Sequence, residues 1–210
     1  MMAGMPGVLA GLAEAERAGL LEDLNYLNLR EIRAFCDRHA IPYRIVVETE
    51  AGRTKATRDT DRKPVILRRV RQFLETGEVL AATCLPAAIV REGAPPAGLG
   101  PDDRLYYRWY NKTYGGVMRL VEELTGGRFE NGALARVLIM EHWTSGRAPT
   151  FVEFADAWMA AKDEPRDLLT AEYAFLTDLQ RGKAGDDWKA VRQAKAERVV
   201  KVLDELLPHP

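Results

Sequence analysis

The stretch from Asn28 to Thr76 constrains this chain more than any other, because its punctuation prescribes a helix, an extended segment and a second helix in turn. Asn28 stands three residues before Glu31, the spacing at which a capping side chain and a glutamate satisfy each other's free backbone N–H groups. Leu29, Ile32, Phe35 and Cys36 then recur at helical spacing and are expected to face inward, and Pro42 closes the helix. Arg44-Ile-Val-Val-Glu48 and Arg53-Thr-Lys-Ala-Thr57 are extended in character, and Glu50-Ala-Gly52 between them predicts a hairpin turn. Asp61 is the expected cap of the second helix, with Pro64 tolerated in its first turn, where a backbone N–H has no helical partner anyway. Ile66, Leu67, Val70, Phe73 and Leu74 supply the inward stripe of that helix, and Gly77 stops it.

The same stretch concentrates positive charge. It holds twelve basic and seven acidic side chains, a net of plus five, in a chain whose total is minus one. A compact basic module in a nearly neutral protein points to an anionic partner, and nucleic acid is the commonest large one, DNA ahead of RNA. The candidate nucleic-acid-binding residues are Arg30, Arg33, Arg53, Lys55, Arg58, Arg62, Lys63, Arg68, Arg69 and Arg71. Open amides at the helix start near Arg62 and Lys63 would add a phosphate site. Contacts of this kind position a protein on a backbone, carry little sequence information and weaken with salt. The competing reading is a solvated face balanced by Glu48, Glu50, Asp59 and Asp61, or a surface that docks an acidic protein.

Leu27-Asn28-Leu29-Arg30-Glu31-Ile32-Arg33-Ala34-Phe35-Cys36, then Ile41-Pro42, then Lys63 and Ile66-Leu67-Arg68-Arg69-Val70, resembles the SAP family of helix-extended-helix modules. The resemblance runs over about residues 27–76 and implies DNA binding, occasionally RNA binding, by an appendage that localises another activity. Lys63 and Arg68 match the family's cap lysine and its second-helix basic position. Ala40 stands where the family commonly has glycine, and the connection from Tyr43 to Thr60 is longer than the family's few residues. Lys55 and Arg58 lie in that insert and inherit nothing from the resemblance.

Elsewhere the pattern is helical. Val8 to Leu24 reads as one short helix. Residues 93–101 carry three prolines and three glycines, the composition of a linker, so the expected organisation is a basic module over 1–92, a linker, and a helical domain over 102–210. In that domain helices are expected over Asp102 to Leu124, Asn131 to Trp143, Phe151 to Lys162 (opened by a Thr150/Glu153 capping box), Thr170 to Gln180 and Asp187 to Leu207. The last has an apolar seam of Trp188, Val191, Val199, Val202, Leu203 and Leu206. Tyr106, Tyr110 and Tyr114 are spaced by four, with Arg104, Arg108 and Lys112 beside them, an array that suits either a helical core or base stacking. The fold class expected is mainly α: an N-terminal helix-extended-helix module with a small β-hairpin insert, followed by a multi-helix bundle.

Enzymatic signatures are thin. The chain has three histidines and a single serine, Ser145, and Glu141-His142 lacks the second histidine of a zinc-hydrolase helix. No phosphate-binding loop, dinucleotide fingerprint or nucleophile elbow is present, so no catalytic residue, cofactor or metal is assigned. Cys36 and Cys84 are too few for a disulfide framework and fit a reducing cytoplasm. No run approaches the roughly 18 apolar residues of a membrane span, and no positive residue precedes the mildly apolar Met1 to Leu12, so neither membrane insertion nor a secretory signal is expected. The helical domain, with sixteen basic and eighteen acidic residues from Pro101 to Pro210, is expected to pack on a protein partner or a second copy rather than wrap nucleic acid.

Overall fold

The computed structural model describes residues 7–163 and 186–207. They form a mainly α-helical protein: an N-terminal helix-extended-helix region with a small three-stranded sheet inserted in it, followed by a multi-helix bundle. The described helices are α1 (Glu14–Asp23), α2 (Leu29–Arg38), α3 (Lys63–Thr76), α4 (Gly115–Leu124), α5 (Ala133–Thr144), α6 (Phe151–Asp163) and α7 (Asp186–Leu206). The strands are β1 (Arg44–Glu48), β2 (Thr54–Thr60) and β3 (Cys84–Leu85). The chain forms two compact units, one of residues 1–44, 59–82 and 167–210, the other of residues 45–58 and 83–166. Residues 93–101, the linker expected from composition, fall inside the second unit.

In the first unit the cap signals act as read. The Asn28 side chain accepts from the Arg30 and Glu31 amides at 2.8 and 2.9 Å, and the Glu31 carboxylate accepts from the Asn28 amide at 2.7 Å. Ile32, Phe35 and Cys36 turn inward from α2 and meet Ile66, Leu67, Val70 and Leu74 of α3. Leu29, expected inside, is 40% exposed, because it lies at the first turn, ahead of the stripe that meets α3. Gly77 ends α3 at a φ of 74°, a left-handed conformation that glycine adopts without a Cβ clash. The expected helix over Val8 to Leu24 is instead a 3-10 turn at Val8–Gly11, then α1, then a second 3-10 turn at Leu24–Tyr26.

Asp61 does not occupy the cap position of α3; Arg62 does, one residue later. The Asp61 carboxylate lies buried against Arg69, with Nη1 donating to Oδ2 at 2.6 Å. The same guanidinium donates to the carbonyls of Pro42 at 3.1 Å and Ala81 at 3.0 Å. One arginine thus joins the loop after α2, the residue after β2, its own helix and the chain beyond it. Helix α7 adds Ala196, Val199 and Leu203 to the core of this unit, as the apolar seam anticipated. Val191 departs from that seam at 45% exposure, Val202 and Leu206 are half-buried, and the Trp188 side chain lies outside the described residues, as does the expected helix over Thr170 to Gln180. Polar contacts hold the same helix: Arg192 pairs with Glu31 at 2.5 Å, Lys195 with Asp23 at 2.9 Å and Arg38 with Asp204 at 2.7 Å.

In the second unit β1 is the central strand, with β2 on one side and β3 on the other. The connection between β1 and β2 is too short for anything but a hairpin, and the Thr49 amide donates to the Arg53 carbonyl across it at 2.8 Å. Strand β3, not foreseen in the sequence, runs parallel to β1 with Val46 opposite Cys84 and Val47 opposite Leu85. Its two residues are too few to show a period. The core gathers Ile45, Val47 and Leu85 from the sheet with Phe151, Phe154 and Trp158 from α6 and Leu138, Ile139 and Trp143 from α5. Thr150 and Glu153 form the expected capping box, their reciprocal bonds measuring 2.7 and 3.1 Å.

The helix expected from Asp102 begins only at Gly115, and the tyrosines at 106, 110 and 114 do not share a helical face. Residues 103–107 are extended instead: the Leu105 amide donates to Pro149 at 2.7 Å and the Tyr107 amide to Ile89 at 2.9 Å. Leu105, Tyr107 and Trp109 are buried while Arg104 and Arg108 are exposed, a period of two. The Trp143 indole donates to the Leu105 carbonyl at 3.0 Å.

Replacing Asp61 with alanine leaves the Arg69 guanidinium buried without its counter-charge. A loss of about 3–5 kcal/mol of unfolding free energy is expected, read as a lower urea midpoint, because removing one partner of a buried pair leaves an uncompensated charge.

Candidate nucleic-acid interface

The ten basic residues singled out in the sequence divide between the two units. In the first unit Arg30 and Arg68 are exposed and Arg62 is half-buried. Arg69 is removed from the candidate surface: at 3% exposure and with three acceptors on its guanidinium, it is a structural residue. Lys63 and Arg71 are half-buried and both reach Asn25, the lysine Nζ to the backbone carbonyl at 2.5 Å and the arginine to the side-chain oxygen at 3.0 Å. Asn25 lies in the 3-10 turn that ends α1, where carbonyls lacking helical partners attract cations. Burial, and next the charge of Arg192, push the Lys63 amine down to about 8. Arg33 donates to Thr60 Oγ1 at 2.9 Å and lies 5.9 Å from the centre of the Tyr43 ring. The helices of the basic module therefore hold more of their cations in internal bonds than the charge count suggests.

In the second unit Arg53, Lys55 and Arg58 are exposed, the first in the hairpin turn and the others on β2. Lys55 and Arg58 make no ion pair among the described residues. Both line an open cleft of about 1320 Å³, walled by the hairpin, by the turn following β3 and by the segment leading into α4. Two further cations reach this cleft: Arg108, which the sequence offered as part of the tyrosine array, and Arg91, which sequence reasoning did not assign to a site. The Arg91 guanidinium stacks 4.8 Å from the centre of the Tyr106 ring and that of Arg108 5.3 Å from the Tyr107 ring. Arg108 has a φ of 71°, a left-handed conformation costly to a residue with a Cβ. Glu48, Glu50 and Glu92 are also in the lining, so the cleft alternates cations with carboxylates rather than forming a uniform basic groove.

The positions of Arg91 and Arg108 follow from tertiary pairing. Val90 and Tyr107 form a parallel bridge, with the Tyr107 amide donating to the Ile89 carbonyl, and the residues that follow the bridged pair, Arg91 and Arg108, both reach the cleft wall. No local motif announces such a pairing.

Other chemistry is sparse. No group of three or more histidine, cysteine or carboxylate side chains suited to a metal ion occurs among the described residues. His142 is pushed below its ordinary value by burial and then by Arg147, whose Nη2 lies 3.4 Å from Nδ1. Ser145 Oγ donates to the His142 backbone carbonyl at 2.8 Å, not to the imidazole. Burial raises the Cys36 thiol to about 12, which leaves it unreactive, and both cysteines are free. No helix of the described residues is long and apolar enough to cross a membrane.

Compared with protein-family models, with curated proteins and with solved structures, the chain finds no match.

Two outcomes follow from this geometry. The Lys63 amine is expected to titrate with a midpoint near 8, read from its side-chain carbon shifts by NMR. Because the folded chain favours the neutral amine, stability rises as the pH climbs from about 8 towards the ordinary lysine value of 10.5. Separately, Arg108→Gly is expected to be more stable than Arg108→Ala by about 1 kcal/mol in urea unfolding, since both lose the guanidinium and glycine alone accepts the positive φ.

Proposed function

We propose that this chain is a non-enzymatic nucleic-acid-binding protein, DNA foremost, that grips phosphates through the basic rim of the second unit's cleft. The observation that carries this reading is the placement of Lys55 and Arg58, exposed and without ion pairs among the described residues, beside Arg91 and Arg108 on one concave surface. Phosphate oxygens are strong acceptors that arginine binds in a planar, two-pronged geometry. The resemblance of residues 27–76 to SAP modules supports the same class of partner, and within the first unit Arg30 and Arg68 are exposed. The two free cysteines accord with a reducing, cytoplasmic setting.

A second reading rests on strand order. Strand β2 lies at the sheet edge, and an acidic peptide adding a strand there would meet the same cations, which would make the protein an adaptor. Charges on an edge strand also discourage unwanted strand pairing, whatever else they do.

The test is fluorescence anisotropy of labelled DNA and RNA, single-stranded and duplex, over rising salt, with a Lys55→Glu/Arg58→Glu variant alongside. Binding that falls with salt and is at least about tenfold weaker in the folded variant is the expected result, since each neutralised phosphate releases counterion. Absence of binding at low salt overturns the proposal. An acidic peptide that binds the wild-type chain and is not displaced by unrelated duplex DNA moves the role to the adaptor.

A further inference from the structure

The cleft has features that a purely phosphate-gripping surface does not need. Its volume, about 1320 Å³, exceeds the roughly 300–1,000 Å³ of a pocket for one small ligand, so it suits a segment of several linked groups. Glu48, Glu50 and Glu92 share its lining with the cations. Ionised carboxylates accept hydrogen bonds and repel phosphates, so a ligand that fills the cleft must bring N–H or O–H donors as well as negative charge. A duplex presents phosphates on a convex exterior and ties up the pairing edges of its bases. An unpaired strand presents phosphates, base N–H groups and π-faces together.

The aromatic side chains of the cleft differ in what covers them. Tyr107 is buried, with Arg108 beside its ring and Trp143 edge-on at 5.3 Å. Tyr114 is half-buried, packs against the core of the unit, and has no ring or cation stacked on it among the described residues. It follows an Asn111 turn, its amide donating to the Asn111 carbonyl at 2.9 Å, and stands at the start of α4, so its backbone is held on both sides. A half-exposed aromatic ring on a fixed backbone, in one cleft with Lys55 and Arg58, which make no ion pair among the described residues, is the arrangement on which bases of a single strand stack.

We infer that the cleft takes a single-stranded segment of nucleic acid, with one base on the Tyr114 ring, the flanking phosphates on Lys55, Arg58 and Arg91, and base N–H groups donating to the carboxylates. This rests on the nucleic-acid reading above and adds the strandedness of the ligand and the residue that selects it. Arg91 can serve a phosphate while stacked on Tyr106, because stacking covers the guanidinium face and leaves its N–H edge open.

The experiment compares, on the full chain, a labelled single-stranded oligonucleotide, its duplex and an abasic strand of equal length. Wild-type protein is expected to bind the single strand about tenfold or more tightly than the duplex or the abasic strand, by the usual contribution of one stacked base. Tyr114→Ala is expected to lose that advantage over the duplex and the abasic strand, and Tyr114→Phe to keep it. The abasic strand tests stacking without any substitution, should Tyr114→Ala fail to fold. Equal affinity for all three ligands, or a folded Tyr114→Ala variant with wild-type single-strand binding, overturns the inference. If Lys55→Glu/Arg58→Glu still abolishes binding in that case, the phosphate-gripping role stands without it. No binding of any polymer at low salt overturns both.

Discussion

The buried contact between Arg69 and Asp61 is the constraint on which the first unit depends. A guanidinium out of water needs a counter-charge and acceptors for its remaining N–H groups. Here Asp61 supplies the charge while the Pro42 and Ala81 carbonyls supply the acceptors. These partners come from three separate stretches of chain, so one side chain ties together the loop after α2, the residue after β2 and the chain beyond α3. Apolar packing of Ile32, Phe35, Ile66 and Val70 contributes the burial and turns one face of α3 inward, but it makes no directional tie to the chain outside the helices. The hydrogen-bonded arginine supplies that tie.

That same contact changes how the net charge of plus five in residues 28–76 is understood. Arg69 is withdrawn from the surface, and Lys63 and Arg71 turn towards the end of α1. Among the helices of the module, the exposed candidates that remain are Arg30 and Arg68. The hairpin cations Lys55 and Arg58, which owe nothing to the SAP resemblance, lie where Arg91 and Arg108 join them on a concave wall. A proposed interface centred on the cleft therefore draws on the insert rather than on the helices that first suggested it. Charge counts establish that a segment is basic; they do not say which cations have already found an internal acceptor.

The tyrosine-rich segment makes a related point about periodicity. Tyr106, Tyr110 and Tyr114 invite a helical reading at spacing four, yet Leu105, Tyr107 and Trp109 alternate with Arg104 and Arg108 at spacing two. Both periods are present in the same residues, and arginine with its long apolar stem is ambiguous in each. The tie is broken by partners distant in sequence, the Ile89 and Pro149 carbonyls, which accept the amides a helix would have used internally. Leu29 and Val191 depart from their stripes for a simpler reason: each is apolar and on period, but no element among the described residues covers its position.

What the sequence determined by itself is local and directional: the capping boxes at Asn28 and Thr150, the stop at Gly77, the hairpin between β1 and β2, and the apolar stripes of α2, α3 and α7. Each depends on groups within a few residues of one another, so composition and spacing suffice to specify it. The tertiary structure alone decided the parallel addition of β3, the extended course of residues 103–107, the burial of Arg69 and the gathering of Lys55, Arg58, Arg91 and Tyr114 around one cleft. These depend on hydrogen bonds and counter-charges between residues far apart in the chain, where any of several donors competes for the same acceptor, and packing of the whole unit selects among them.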